Sequence, residues 1–96
     1  MITKTPYEEF FRYYDFTAIL NSQEQIATAD VSVVSIDDED EDCSEMIDSV
    51  SPYNNKFVKY QLMGGEKHKN YLISVKIVTS NGQKFENQAP IELVVI

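Results

Sequence analysis

The stretch Tyr71-Leu72-Ile73-Ser74-Val75-Lys76-Ile77-Val78-Thr79, followed by Ser80-Asn81-Gly82-Gln83, decides the fold. Tyr71, Ile73, Val75 and Ile77 occupy every second position, so they share one face of a β-strand. Asn81-Gly82 is a strong signal for a tight hairpin turn, because such turns need central residues that accept positive φ. The chain returns through Lys84, Phe85 and Glu86, pauses at Pro90, and ends with Ile91, Leu93 and Val95 on one face. The C-terminal third therefore reads as a hairpin with one buried side.

The same period extends upstream. Between Lys56 and Met63, Val58, Tyr60 and Leu62 alternate with Lys59 and Gln61, the pattern of a half-buried strand. Gly64-Gly65 and the polar Glu66 to Asn70 supply the turn before Tyr71. Ile26 to Ile36 is rich in β-branched residues, but its apolar phase slips between Val33 and Val34, which predicts a bulge or a strand that changes sheet. Short strands and frequent turns predict an all-β protein, an antiparallel β-sandwich of immunoglobulin-like type over residues 16–96.

The N-terminus reads differently. Thr5, Pro6 and Glu8 form a capping-box signature with proline at the first helical position. This predicts a short helix over Pro6 to Tyr13, part of an arm at residues 1–15. On such a helix Tyr7, Phe10, Phe11 and Tyr14 would form one stripe. With Tyr13 and Phe16 they make six of the eleven aromatic residues within ten positions. Either this segment packs over an open end of its own sandwich, or it anchors another subunit. A small domain has little interior for six rings, and aromatic side chains dominate protein–protein hot spots. Tyr7, Phe10, Phe11, Tyr14 and Phe16 are accordingly the expected partner-binding residues.

Composition narrows the function. A chain of 96 residues has room for one core, and no second lobe to form a cleft. No apolar run is long enough to span a bilayer, so no membrane partner is expected. A net charge of -8 opposes binding to a phosphate backbone, so neither is nucleic acid. The single Cys43 excludes an internal disulfide and any site needing several thiolates. It follows an acidic block, Asp37 to Asp42, that disfavours a thiolate. His68, the one histidine, sits between Lys67 and Lys69 in a polar turn and reads as a loop residue rather than a base. No enzyme activity, catalytic residue or cofactor is expected. Read as a calcium loop from Asp37, the acidic block puts Asp42 where glycine is required and Asp48 where a bidentate glutamate belongs, so no metal site is assigned. It reads as a solvated loop, or as an electrostatic guide toward a basic neighbour.

In their order these features resemble small immunoglobulin-like virion proteins of tailed bacteriophages, of the fibre-tail adaptor or head decoration type. The resemblance rests on Pro6 to Glu9, Tyr14-Asp15-Phe16-Thr17 with Leu20, and Glu24 with Ile26. It continues through Leu62-Met63-Gly64-Gly65, the spacing to Tyr71, and Val78 to Gln83 followed by Glu86. It departs at Gln23, where that group usually has a glycine, and in the length of the acidic block. The resemblance implies a virion structural protein, with a tail-fibre adaptor favoured, made in the bacterial host cytoplasm and residing in the phage particle. Its implied partners are other virion proteins in a multi-copy symmetric assembly. The competing functions are a carbohydrate- or surface-binding β-sandwich module, disfavoured by the absence of tryptophan, and a calcium-binding adhesion domain using Asp37 to Asp42.

Overall fold

A computed structural model describes residues 1–96. Eight strands follow one another: β1 (Ile2–Lys4), β2 (Phe10–Asp15), β3 (Ile26–Ser35), β4 (Ile47–Tyr53), β5 (Phe57–Leu62), β6 (Asn70–Thr79), β7 (Lys84–Glu86) and β8 (Ile91–Val95). One 3₁₀ turn at Ser44–Met46 is the only helical element, and no helix is long and apolar enough to cross a membrane. The strands form two sheets. One runs β1-β8-β6-β3 with β7 also on β6, and the other runs β2-β5-β4. All pairings are antiparallel except β1 with β8, which is parallel.

The alternating positions read from the sequence form the core. Val58, Tyr60 and Leu62 of β5 face Tyr71, Ile73, Val75 and Ile77 of β6 and Leu93 and Val95 of β8, all buried. Each such side chain contributes roughly 1.5–3 kcal/mol by leaving water. The Asn81-Gly82 turn forms as expected, with Gly82 at φ 84° and the Thr79 N–H donating to the Gln83 carbonyl at 2.8 Å. β7 and β8 lie on the same flank of β6, and Asn87 fills the gap between them. Its side chain accepts from the Val75 N–H at 2.9 Å and donates to the Ala89 carbonyl at 2.8 Å, doing what a strand backbone would do.

Two expectations need correction. The short helix over Pro6–Tyr13 does not form. Its first turn is genuine, since the Thr5 N–H donates to Glu8 Oε1 at 2.7 Å and the Glu8 N–H to the Thr5 carbonyl at 3.2 Å. The chain then straightens into β2, because pairing with β5 over Phe10–Asp15 and burial beside the core outweigh one capped turn. Residues 1–15 contribute β1 to one sheet and β2 to the other. In β3 the irregularity lies between Ile26 and Thr28, and pairing with β6 is regular through Val33 and Val34. Val34 and Ile36 are simply exposed. At Gln23 no positive φ is needed, because the Asn21 side chain holds the turn by accepting from the Gln23 and Glu24 N–H groups at 2.9 and 3.0 Å.

One end of the sandwich is tied together by polar contacts. Tyr71 is buried at the start of β6, and its hydroxyl accepts from the Glu66 N–H at 3.0 Å and donates to Glu41 Oε2 at 3.2 Å. The first contact, from a buried ring to the backbone a few residues upstream, has the form of a tyrosine corner. Lys69 bridges Glu41 and Glu66, each at 3.0 Å, and both bonds push its ammonium pKa up. Buried Lys4 donates to the carbonyls of Thr5 and Gly64, locking β1 onto the Gly-Gly turn. Gly65 is held at φ 90°, where a Cβ would stand 2.8 Å from Val95 Cγ2 and 3.1 Å from Met46 Cε.

Two stability predictions follow from this end. Gly65→Ala combines left-handed strain with overpacking and should cost about 2–4 kcal/mol. Gly64→Ala meets open space at φ 57° and should cost only about 1–2 kcal/mol. Denaturant midpoints separate the two. Burial raises the pKa of Cys43, Tyr60 and Tyr71, so folding favours their protonated forms. That contribution is complete below the unfolded values and is lost as pH rises, so the midpoint should fall progressively above about pH 9. Tyr71→Phe should lower stability at pH 7 by about 1–2 kcal/mol and flatten part of the alkaline decline.

Candidate partner-binding surface

Strand parity sorts the aromatic residues onto two faces. β5 buries Val58, Tyr60 and Leu62, so Phe57, Lys59 and Gln61 point outward. The β2–β5 register places Phe11 opposite Gln61, Tyr13 opposite Lys59 and Asp15 opposite Phe57, all on the outer side. Phe10 and Tyr14 turn inward against the core. On the far side of β5, Tyr53 of β4 pairs with Phe57. The turn between them is held by Asn54 at φ 52° and Asn55 at φ 65°, and asparagine is among the few residues besides glycine that accept this conformation readily.

The result is a cluster of rings on the outside of the three-stranded sheet. Tyr13 and Tyr53 stand 5.0 Å apart between ring centroids, Tyr53 and Phe57 6.5 Å apart, and Lys59 Nζ lies 4.5 Å from the Phe11 centroid. Phe11, Tyr13 and Tyr53 are 46, 50 and 47% exposed. A little apart, Tyr7 is 93% exposed in the turn between β1 and β2. Such a surface offers large, stiff contact area at low entropic cost to a neighbour.

Of the five residues expected to bind a partner, Tyr7 and Phe11 are exposed, Phe10 and Tyr14 are half-buried, and Phe16 is fully buried. The five do not share a face. Tyr14 and Phe16 stack edge-on at 4.8 Å inside the molecule, so Phe16 holds the sandwich together and reaches no neighbour in this conformation. Sequence reasoning passed over Tyr13, Tyr53, Phe57 and Lys59. Their signal was available: Phe57 falls on the opposite phase from Val58, Tyr60 and Leu62, and a period of two through residues 10–15 puts Phe11 and Tyr13 together.

The acidic block spends its carboxylates singly. Asp37 accepts from the Asn70 N–H at 2.9 Å, Asp38 from the Asp40 N–H at 3.0 Å, and Asp42 from the Ser44 N–H at 3.0 Å, while Glu41 binds Lys69 and Tyr71. The bonds from Ser44 draw the Asp42 carboxyl pKa down. No three Asp, Glu, His or Cys side chains converge as metal ligands would. Cys43 is buried beneath the loop, and burial and Glu41 push its thiol pKa up, the wrong direction for a nucleophile. His68 sits in the Glu66–Lys69 turn at φ 70°, with its N–H donating to the Val95 carbonyl at 2.7 Å.

Topology collects the charge. The loops at the Tyr71 end and the strand ends beside them carry Glu8, Glu9, Asp37 to Asp42, Glu45, Asp48 and Glu66 against Lys4, Lys67 and Lys69. Eleven acidic and three basic residues concentrate the negative charge at this end, Glu92 opposite Leu72 adds to it, and the remaining four acidic and five basic residues nearly cancel. The body is elongated, 42 by 23 by 20 Å, so its charge is polarised along its length.

No curated protein matches the chain. A family model described as "Podophage GP4 fiber-tail adaptor protein gp77" matches residues 4–92, a span that takes in β2 through β7 and the whole aromatic face, and the chain belongs to that family.

Proposed function

We propose that this chain acts as a fibre-tail adaptor by seating the outer aromatic face of its three-stranded sheet on a neighbouring virion protein. The observation that carries this reading is the contiguous set of Phe11, Tyr13, Tyr53 and Phe57, which no other part of the chain covers. An apolar patch rimmed by polar residues marks an interaction site, and its rings are of the type that supply most binding energy. Tyr7 extends the contact from the β1–β2 turn.

The acidic end supplies orientation. Negative charge concentrated toward one end of an elongated body gives it a direction in the field of a basic neighbour, which raises the productive encounter rate without adding contact area. Repetition of the chain around a symmetric tail would add avidity to a modest individual contact. The family description names the fibre-tail junction, which favours the tail over head decoration.

An immunoglobulin-like reading of the sandwich is supported by the pairing order. β2-β5-β4 opposite β3-β6-β8 follows the B-E-D and C-F-G order of that fold, and Tyr71 stands near the start of the F-equivalent strand.

Phe11→Ser and Tyr53→Ser should leave thermal stability within about 1 kcal/mol of the native chain while weakening association with tail particles at least about tenfold, measured by co-sedimentation. Phe16→Ala should instead cost about 3–5 kcal/mol of stability. If the two surface variants bind undiminished, the aromatic face is not the docking surface. Raising salt from about 50 to about 500 mM should slow association, and replacing Asp38, Glu39 and Asp40 with Asn, Gln and Asn should remove part of that dependence.

A further inference from the structure

A β-sandwich must guard the unpaired edges of its sheets, because a free edge is a template for another strand. Most edges of this molecule are guarded. β1 and β7 are three residues long. β4 is broken by a register shift between Asp48 and Ser51, with Ser49 at φ 53°, and carries Pro52. Along β3, a groove of about 540 Å³ toward β4 is rimmed by Asp30, Glu41, Asp42 and Asp48, whose carboxylates an incoming strand would strip of water. β2 has neither the shortness, the proline nor the break, and its two charges, Arg12 and Asp15, are of opposite sign. It runs six residues, Phe-Phe-Arg-Tyr-Tyr-Asp, with no proline and no break in register, and pairs on one side only.

The direction of its free groups follows from one bond. The Phe16 N–H donates to the Lys56 carbonyl at 2.9 Å, and position 16 opposite 56 continues the β2–β5 register. In an antiparallel ladder bonded pairs alternate. Phe10, Arg12 and Tyr14 therefore bond to β5, and the N–H and C=O groups of Phe11, Tyr13 and Asp15 point to the open edge. Phe11 and Tyr13 also head the exposed ring cluster, so edge and face are one continuous surface. On the other side of β2, Arg12 is exposed with its guanidinium 5.2 Å from the Phe10 ring centroid, and it has no carboxylate partner, since both ion pairs of the molecule belong to Lys69.

We propose that β2 takes up an extended segment of a neighbouring virion protein as a fourth strand of the β2-β5-β4 sheet. The segment bonds to the backbone of Phe11, Tyr13 and Asp15. It carries apolar side chains beside Phe11 and Tyr13 and a carboxylate beside Arg12, complementing the charge left unpaired there. This inference rests on the adaptor reading and specifies how the partner is held.

The test uses the full chain and tail particles assembled without it. Tyr13→Pro removes one outward N–H at an edge position that faces away from β5, where proline is tolerated. Tyr13→Thr removes the ring and keeps the N–H. The proline variant should lose binding by about a hundredfold and the threonine variant by about tenfold or less, and Arg12→Glu should also weaken binding. In the native chain the amides of Phe11, Tyr13 and Asp15 should exchange hydrogen at least about tenfold more slowly on particles than free, a readout that holds even if Tyr13→Pro fails to fold. Unchanged exchange on particles while Phe11→Ser still releases the chain would overturn strand addition and leave the adaptor reading standing. Release by neither variant would remove the adaptor reading as well. A dimer of the free chain that Tyr13→Pro abolishes would make a second copy the occupant and overturn the proposed partner.

Discussion

The hydroxyl of Tyr71 is the contact on which the acidic end of the molecule depends. The ring is buried in the core, and its one polar atom meets two groups from separate loops, the Glu66 N–H and the Glu41 carboxylate. Glu41 is thereby fixed, Lys69 settles between Glu41 and Glu66, and the loop of adjacent carboxylates is held against the start of β6. Six neighbouring acidic residues would otherwise repel one another into an extended, mobile loop. A core side chain thus converts a run of like charges into a charged surface of defined shape.

The sandwich divides its labour between its sheets. The larger one holds β6 at its centre and contributes most of the buried side chains, so it carries stability. The smaller one has a single central strand and spends its outer side on rings that the core does not need. In a chain with only 19 buried residues that is a large outlay of aromatic surface, and it makes sense if a neighbour covers it. At the acidic end the thiol is covered, the histidine belongs to a turn, and Asp37, Asp38, Glu41 and Asp42 each accept a hydrogen bond from within the chain.

The strands that form the core were legible because their side chains alternate without interruption, as Val58, Tyr60 and Leu62 or Tyr71 through Ile77 do, and because Asn81-Gly82 and Gly64-Gly65 mark turns. β2 was read as a helix because Thr5, Pro6 and Glu8 do form a capped turn, and the pairing that ends it lies some fifty residues away in β5. Local signals report local structure, and they cannot register a competitor from elsewhere in the chain. β4 was hidden for a different reason. Pro52, the bulge at Ser49 and the exposed serines erase alternation, although these same features equip it as an edge. The exposed aromatic face suffered from both effects, since two of its rings belong to β2 and one to β4.

Asn87 has a last consequence. By standing in for backbone between β7 and β8, its amide lets one flank of β6 be covered by two short pieces with a spacer between them. Within the spacer these bonds engage Asn87 and Ala89 and leave Gln88 exposed between them. Gln88 is a natural splice point, at which a relative could acquire a longer excursion, or an experimenter a reporter group, and keep the framework intact.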